Sequence, residues 1–188
     1  MKRLLAIVCV VLFGASVAFA QTGYIGVFGD TEGTSCALAQ PGATVKFQLH
    51  LVHIGSGGIT GVQFVAPKPA CLNATWDRDV HVYDTFIGDT QTGLALVYGG
   101  DCPAGNFLIC SMEFTSQGTT PDCCVYYVLP DPLAASGKYE FADCGYEVIT
   151  VREGAKAGVV NQTPACSCAA IPAEDSNWGR IKAMYSGE

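Results

Sequence analysis

Cysteine is the residue with the most chemistry to offer in this chain. Beyond Cys9, in an apolar leader described below, thiols fall at 36, 71, 102, 110, 123, 124, 144, 166 and 168. Zinc is a poor match, because no C-x-x-C pair occurs and neither Cys123-Cys124 nor Cys166-Ser167-Cys168 has zinc-ribbon spacing. Redox catalysis is a poor match too, since C-S-C lacks the C-x-x-C setting that lowers a thiol pKa. A disulfide framework fits better. Cys36, Cys71, Cys102, Cys123, Cys124, Cys144, Cys166 and Cys168 all sit beside turn-forming residues, as in GDCPAG, TPDCC and PACSC. Cys110 is the odd one. In GNFLICSMEF, Leu108, Cys110, Met112 and Phe114 alternate with Ile109, Ser111 and Glu113, which puts the thiol on a strand's apolar face. Four bridges and one free, buried, inert thiol are expected. Cys123 and Cys124 should each reach a different partner, because adjacent Cα atoms lie only about 3.8 Å apart. The same holds for Cys166 and Cys168, whose segment is expected to tie the tail to the body. The pairing itself stays open, with on the order of a hundred arrangements.

Histidines and carboxylates offer less. His50 and His53 are three apart in a strand pattern, so regular pleating points them to opposite faces. His81 lies in the strand-like VHVYD. No G-x-S-x-G, P-loop, H-E-x-x-H or G-x-G-x-x-G stretch occurs. Paired acids in WDRDVHVYD and GDTEG could hydrolyse glycosides, but they read first as solvated loop charge. Asp30 with Glu32, or Asp77 with Asp79, lacks the full spacing of a calcium loop. No cofactor is expected. Exposed aromatics are the stronger binding signal: Trp76, Tyr98, Tyr126 and Tyr127, with Tyr83, could form a flat platform for a sugar ring or a protein patch. The competing reading is core packing. Asn73-Ala-Thr75 and Asn161-Gln-Thr163 match a glycosylation acceptor pattern, expected to be bare in a bacterium.

These residues need a scaffold and a compartment. MKRLLAIVCVVLFGASVAFA reads as a secretory signal: basic Lys2 and Arg3, an apolar run from Leu4 to Phe13, then the Ala18-Phe19-Ala20 cleavage pattern. The run is short for a bilayer, which needs roughly 20 residues. Cleavage after Ala20 leaves 168 of the 188 residues, with eight basic residues against 17 acidic ones. No basic footprint for nucleic acid remains, and no later stretch is long and apolar enough to span a membrane. The expected compartment is extracellular, at the cell surface or in the periplasm.

Strand signals dominate the rest. In TVKFQLHL, Val45, Phe47, Leu49 and Leu51 alternate with Lys46, Gln48 and His50. A GSGG turn follows, then ITGVQFVA with Val62 and Phe64 on one face. YIGVF, VHVYDTF, LALVYG, FLICSMEF, CVYYVL, KYEF and YEVITV complete about nine strands, separated by Gly, Pro, Asn and Asp clusters. The fold class is therefore all-β: a single disulfide-stapled β-sandwich over residues 21–170. PGATVKFQLHLVHIGSGGITGVQFVAP resembles the first hairpin of cohesin-like sandwiches, and GNFLICSMEF resembles the strand that closes such a sheet. The resemblance covers about a third of the chain and implies an immunoglobulin/cohesin-like architecture, not a dockerin partner.

After Pro172 the pattern changes. Asp175 or Ser176 can cap a short helix, in which Trp178, Ile181 and Tyr185 recur at spacings of three and four, with Arg180 and Lys182 largely off that stripe. Residues 171–188 thus form a linker and a C-terminal stub, either docked on the sandwich or serving as an address. The ending resembles Trp-Gly-x-Ile-Lys tails of secreted bacterial proteins. The sequence as a whole points to a secreted or surface-associated, non-enzymatic binding or assembly module for an extracellular protein or carbohydrate. A carboxylate-dependent glycoside hydrolase and a purely structural envelope protein are the alternatives.

Overall fold

The computed structural model describes residues 23–168, except residue 56 and residues 152–154. The expected signal peptide and the stub with Trp178, Ile181, Lys182 and Tyr185 lie outside the described residues. Among the described residues, thirteen strands are formed. β1 (Tyr24–Phe28), β3 (Lys46–Ile54), β5 (Ala74–His81), β8 (Phe107–Ser116) and β12 (Ala155–Lys156) build the first sheet, in the order β12-β1-β3-β8-β5. β4 (Ile59–Phe64), β6 (Thr85–Asp89), β7 (Gly93–Val97), β10 (Tyr139–Asp143) and β11 (Val148–Val151) build the second, in the order β11-β10-β4-β7-β6. β2 (Ala37–Leu38), β9 (Cys124–Tyr126) and β13 (Gly158–Val160) make a small third sheet, in the order β2-β13-β9.

Alternation explains the sandwich. On β3, Leu49 and Leu51 point inward and are buried, while Lys46 and His50 point out; Val45 precedes the strand and is exposed. On the second sheet Val62, Phe64, Leu94, Leu96 and Phe141 point inward to the same core. The small sheet adds Leu38, Cys124, Tyr126 and Val160. Fully burying one such large apolar side chain contributes about 1.5–3 kcal/mol.

Two bulges modify the expected pattern. On β8, Cys110 pairs with Leu51 and Leu108 with Val52, leaving Ile109 as the extra residue. Both Ile109 and Cys110 are thereby buried, while Leu108 moves off the inward face and is only half-buried. The outward Val52 is covered by the loop at Gly33, where an added Cβ would lie 3.0 Å from it. On β5, Trp76 pairs with Phe114 and Arg78 with Glu113, so Asp77 is the extra residue and Asp79 turns inward opposite Met112. The expected strand VHVYDTF is two pieces, the end of β5 and the start of β6. β2, β12 and β13 also raise the count above nine, because two or three residues carry no readable period.

Four disulfides close the described chain. Cys71–Cys124 and Cys123–Cys166 send adjacent cysteines to different partners, Cys102–Cys144 joins two loops, and Cys36–Cys168 spans 132 residues. Each is worth about 2–4 kcal/mol in the usual case. Cys110 is free and buried, and burial pushes its thiol pKa well up.

Candidate binding surface

The two sheets turn opposite kinds of surface to solvent. The outer face of the first is polar and internally paired. Arg78 Nε donates to Glu113 Oε2 at 2.7 Å, Lys46 Nζ lies 3.2 Å from Glu113 Oε1 and 3.5 Å from Asp77, and the Thr115 hydroxyl donates to Asp77 at 2.7 Å. Hydrogen bonds from Arg78 and then Lys46 hold the Glu113 carboxyl below its ordinary pKa. Beside this ladder, His50 Nδ1 lies 2.8 Å from Ser111 Oγ, and partial burial lowers its pKa.

The other charged or titratable residues singled out from the sequence are engaged one by one. His53 is buried, stacked on Phe107 at 4.8 Å and edge-on to Phe141, on the face opposite His50. His81 stacks on Phe86 at 3.6 Å. Asp30 closes its own loop, accepting from the Thr34 amide and hydroxyl and the Ser35 amide. Burial alone would raise its pKa, but these bonds outweigh it and the net shift is downward. Asp79 accepts from Trp76 Nε1 and from Thr90. Among the described residues, no cluster of three or more His, Cys, Asp or Glu could hold a metal ion.

The aromatic platform does not assemble. Tyr98 and Tyr126 are 3% and 0% exposed and belong to the core. The Tyr126 hydroxyl donates to the Ala66 carbonyl at 2.9 Å, and burial raises the Tyr98 pKa well above its usual value. Trp76 packs partly buried against the same core, and Tyr83 meets Tyr98 edge-on. Tyr127 alone of the four is exposed. The strand pattern placed Tyr126 in β9 and Tyr98 just past β7, but it did not extend to Trp76 in β5. It put Tyr83 in a strand where a turn lies between β5 and β6, and it left open which face was covered.

The outer face of the second sheet is of the other kind. Opposite the buried Val62, Leu96 and Phe141, register puts Gly61, Gln63, Ala95, Val97, Ala142 and Val148 outward across β4, β7, β10 and β11. Gly61 and Ala142 form a low floor between Val97, 46% exposed, and Val148, 66% exposed. The trough they border has a volume of about 170 Å³, with Glu140 on its wall. Ile87 of β6, 79% exposed and opposite Ala95, extends the apolar surface to the sheet edge. The available signal was Gly61 in ITGVQF and the alternating Gly93 and Ala95 of GLALV. Such a pattern leaves a strand's solvent face smooth and uncharged, but it does not reveal that no other described residue covers the trough.

No protein-family model matches the chain, and no curated protein sequence matches it. Similar solved structures include a non-cellulosomal cohesin from the archaeon Archaeoglobus fulgidus, 10% identical, covering 77% of this chain and 93% of its own, with a TM-score of 0.49. Another is the sixth cohesin of scaffoldin B from Acetivibrio cellulolyticus, solved in complex with a dockerin, 10% identical, covering 76% and 100%, with a TM-score of 0.49. A type III cohesin module from a cell-surface anchoring scaffoldin of Ruminococcus flavefaciens is 9% identical and covers 79% and 92%, with a TM-score of 0.46. The architecture of this chain is similar to that of cohesin modules.

Proposed function

We propose that this chain is an exported, non-enzymatic binding module, with residues 1–20 as its leader and residues 21–170 as its domain, and that a protein ligand docks on the outer face of the second sheet. The observation that carries this reading is the contrast between the two outer faces. One pairs its charges internally. The other presents Ile87, Val97 and Val148 around a floor of Gly61, Ala95 and Ala142. Contiguous exposed apolar surface of this sort marks an interaction site. A protein ligand fits it better than a sugar, because sugar rings stack on aromatic faces and, among the described residues, no exposed aromatic ring lines this trough. Its open side chains are Val97 and Val148, with Gln63 and Glu140 beside them. The four disulfides favour an oxidising compartment, outside the cell or in the periplasm. The engagement of Asp30, Asp77, Asp79 and Glu113 in structural bonds favours a binding role over hydrolysis.

A photo-crosslinking residue at Ala95, in protein returned to its native exported setting, tests this. The expected result is one discrete protein adduct that disappears with Val97→Asp and survives Tyr127→Ala. Adducts that are diffuse, or equally strong with Val97→Asp, would remove the face from consideration.

A further inference from the structure

We propose that the protein docked on the outer face of the second sheet is a second copy of this chain, in a two-fold pair where Leu133 of each copy fills the trough of the other. The inference rests on reading that face as a protein-docking surface, and it names the partner.

The face carries both a recess and a projection. The recess is the trough, with its floor at Gly61 and Ala142 between Val97 and Val148. The projection belongs to the loop between β9 and β10. Asp131 anchors that loop: it is 3% exposed and accepts from Gln63 Nε2 at 3.1 Å. It also lies so close over Gly93 that an added Cβ there would stand 2.8 Å from its Oδ2. Mutual backbone bonds of 2.7 and 2.9 Å between Leu129 and Val65 tie the loop's entry to the end of β4. From this base Leu133 donates its N–H to Asp131 Oδ1 at 2.7 Å, yet the residue is 84% exposed, and Ala134 after it is buried again. A large apolar residue held out on an ordered turn has already lost much of the freedom that binding would cost, which suits it to be an interface anchor.

Their relative placement makes the two parts complementary. Gly61 pairs with Val97 at one end of β4 and β7, Gln63 pairs with Ala95 at the middle, and Asp131 sits beside Gly93 at the other end. The recess and the base of the projection therefore lie about 13 Å apart along the same two strands, four residues at roughly 3.3 Å each. A two-fold axis in the contact plane, running across the strands at Gln63 and Ala95, exchanges those ends. It lays Leu133 of each copy over Gly61 and Val97 of the other. The two contacts are identical, so the pair closes on itself.

Charge fits the same rotation. Glu140 lies on the trough wall level with the axis, opposite Gln63. Exposed Lys138 stands two residues before it, toward the Leu133 end. The rotation brings Lys138 of each copy toward Glu140 of the other, so each carboxylate gains a counter-charge at the rim. Size sets the strength. Five strands about 4.8 Å apart and about 17 Å long make a flat face of roughly 400 Å² per copy. That places the contact among the small interfaces, and the pair is weak and reversible.

The test uses the purified full chain with disulfides intact. Sedimentation equilibrium from micromolar to millimolar concentration should show monomer and dimer with no larger species. Leu133→Ala should raise the dimer dissociation constant at least about thirtyfold, because two anchors are lost per dimer. Tyr127→Ala should leave it unchanged. Lys138→Glu should weaken the dimer, and adding Glu140→Lys should restore it. Near-ultraviolet circular dichroism establishes that the variants keep the native core. For the contact itself, ¹⁵N-labelled chain with a photo-crosslinking residue at position 133 is mixed with unlabelled chain. Adducts should join the labelled peptide to an unlabelled one containing Gly61 or Val97. A chain that stays monomeric to millimolar concentration overturns the proposal, as does a dimer indifferent to Leu133→Ala or crosslinked from 133 to another face. The underlying reading fails separately. A discrete Ala95 adduct with a different protein keeps the face as a docking surface and excludes the second copy, whereas the absence of any discrete Ala95 adduct removes the face itself.

Discussion

Asp79 of the first sheet receives two hydrogen bonds from Thr90 of the second, Thr90 N–H to Oδ2 at 2.7 Å and Thr90 Oγ1 to Oδ1 at 2.8 Å. The bulge at Asp77 makes this contact. Without the extra residue Asp79 would face solvent, as the β5 alternation alone implies. With it, the carboxylate turns inward, also accepts from Trp76 Nε1 at 3.2 Å, and joins the edge of one sheet to the β6–β7 turn of the other.

Asp79→Ala is expected to leave the Thr90 amide and hydroxyl without an acceptor, with Thr90 itself fully buried. Each orphaned buried group costs about 1–3 kcal/mol. The urea midpoint of the disulfide-intact protein should fall with an unchanged slope, whereas Asp84→Ala, in the exposed turn before β6, should leave it in place.

Gly58 lies under the Cys102–Cys144 bridge. A Cβ there would fall 2.6 Å from Cys102 Sγ and 2.7 Å from Cys144 Sγ, so the two sulfurs and the methyl group cannot share the space. Gly58→Ala is expected to disfavour this bridge selectively. Non-reducing peptide mapping should show Cys102 and Cys144 alkylated or mispaired, with the other three bridges intact. Gly42→Ala meets nothing within 4 Å and is expected to stay within about 0.5 kcal/mol of wild type.

How much of this was legible depended on whether a residue's environment repeats. TVKFQLHL is readable because four apolar residues alternate with polar ones and one face is covered. ATWDRDVH is not, since a bulge at Asp77 breaks the period and most of the strand is polar. β2, β12 and β13 are too short for any period. Which cysteines stand at turns can be read from their neighbours. Which of them meet depends on how β9, β13 and the flanking loops come together in space, and local sequence holds no record of that. The trough was hidden for the opposite reason. Gly61, Ala95 and Ala142 give no hydrophobic signal at all, and it is their smallness between Val97 and Val148 that makes the surface.

Tyr126 and Tyr127 were equivalent in the sequence and are opposites in the fold. Tyr126→Phe removes a buried hydroxyl and leaves the Ala66 carbonyl without that donor, an expected loss of about 1–3 kcal/mol in unfolding free energy. Tyr127→Phe, at an exposed position, should be silent in the same denaturation experiment. Equal effects would show that Tyr126 is not in the core.

The ladder on the first sheet makes stability pH-dependent, with a sign fixed by its pKa shifts. Glu113 is held below its ordinary pKa by Arg78 and Lys46, so its contribution is fully present above the unfolded carboxylate range and disappears as pH falls through the depressed folded value. Lys46 is shifted upward by Glu113 and then Asp77, so its share is present below the ordinary lysine pKa and fades as pH rises through the raised one. Glu113→Gln should therefore be less stable than wild type at neutral pH. The gap should narrow on acidification and close once the wild-type carboxyl is protonated. It should also narrow in high salt, since Lys46 and Arg78 are largely exposed. Denaturant midpoints for both proteins from pH 7 down to about 2 measure this, and a gap that widens in acid would show that the ladder does not set the Glu113 charge.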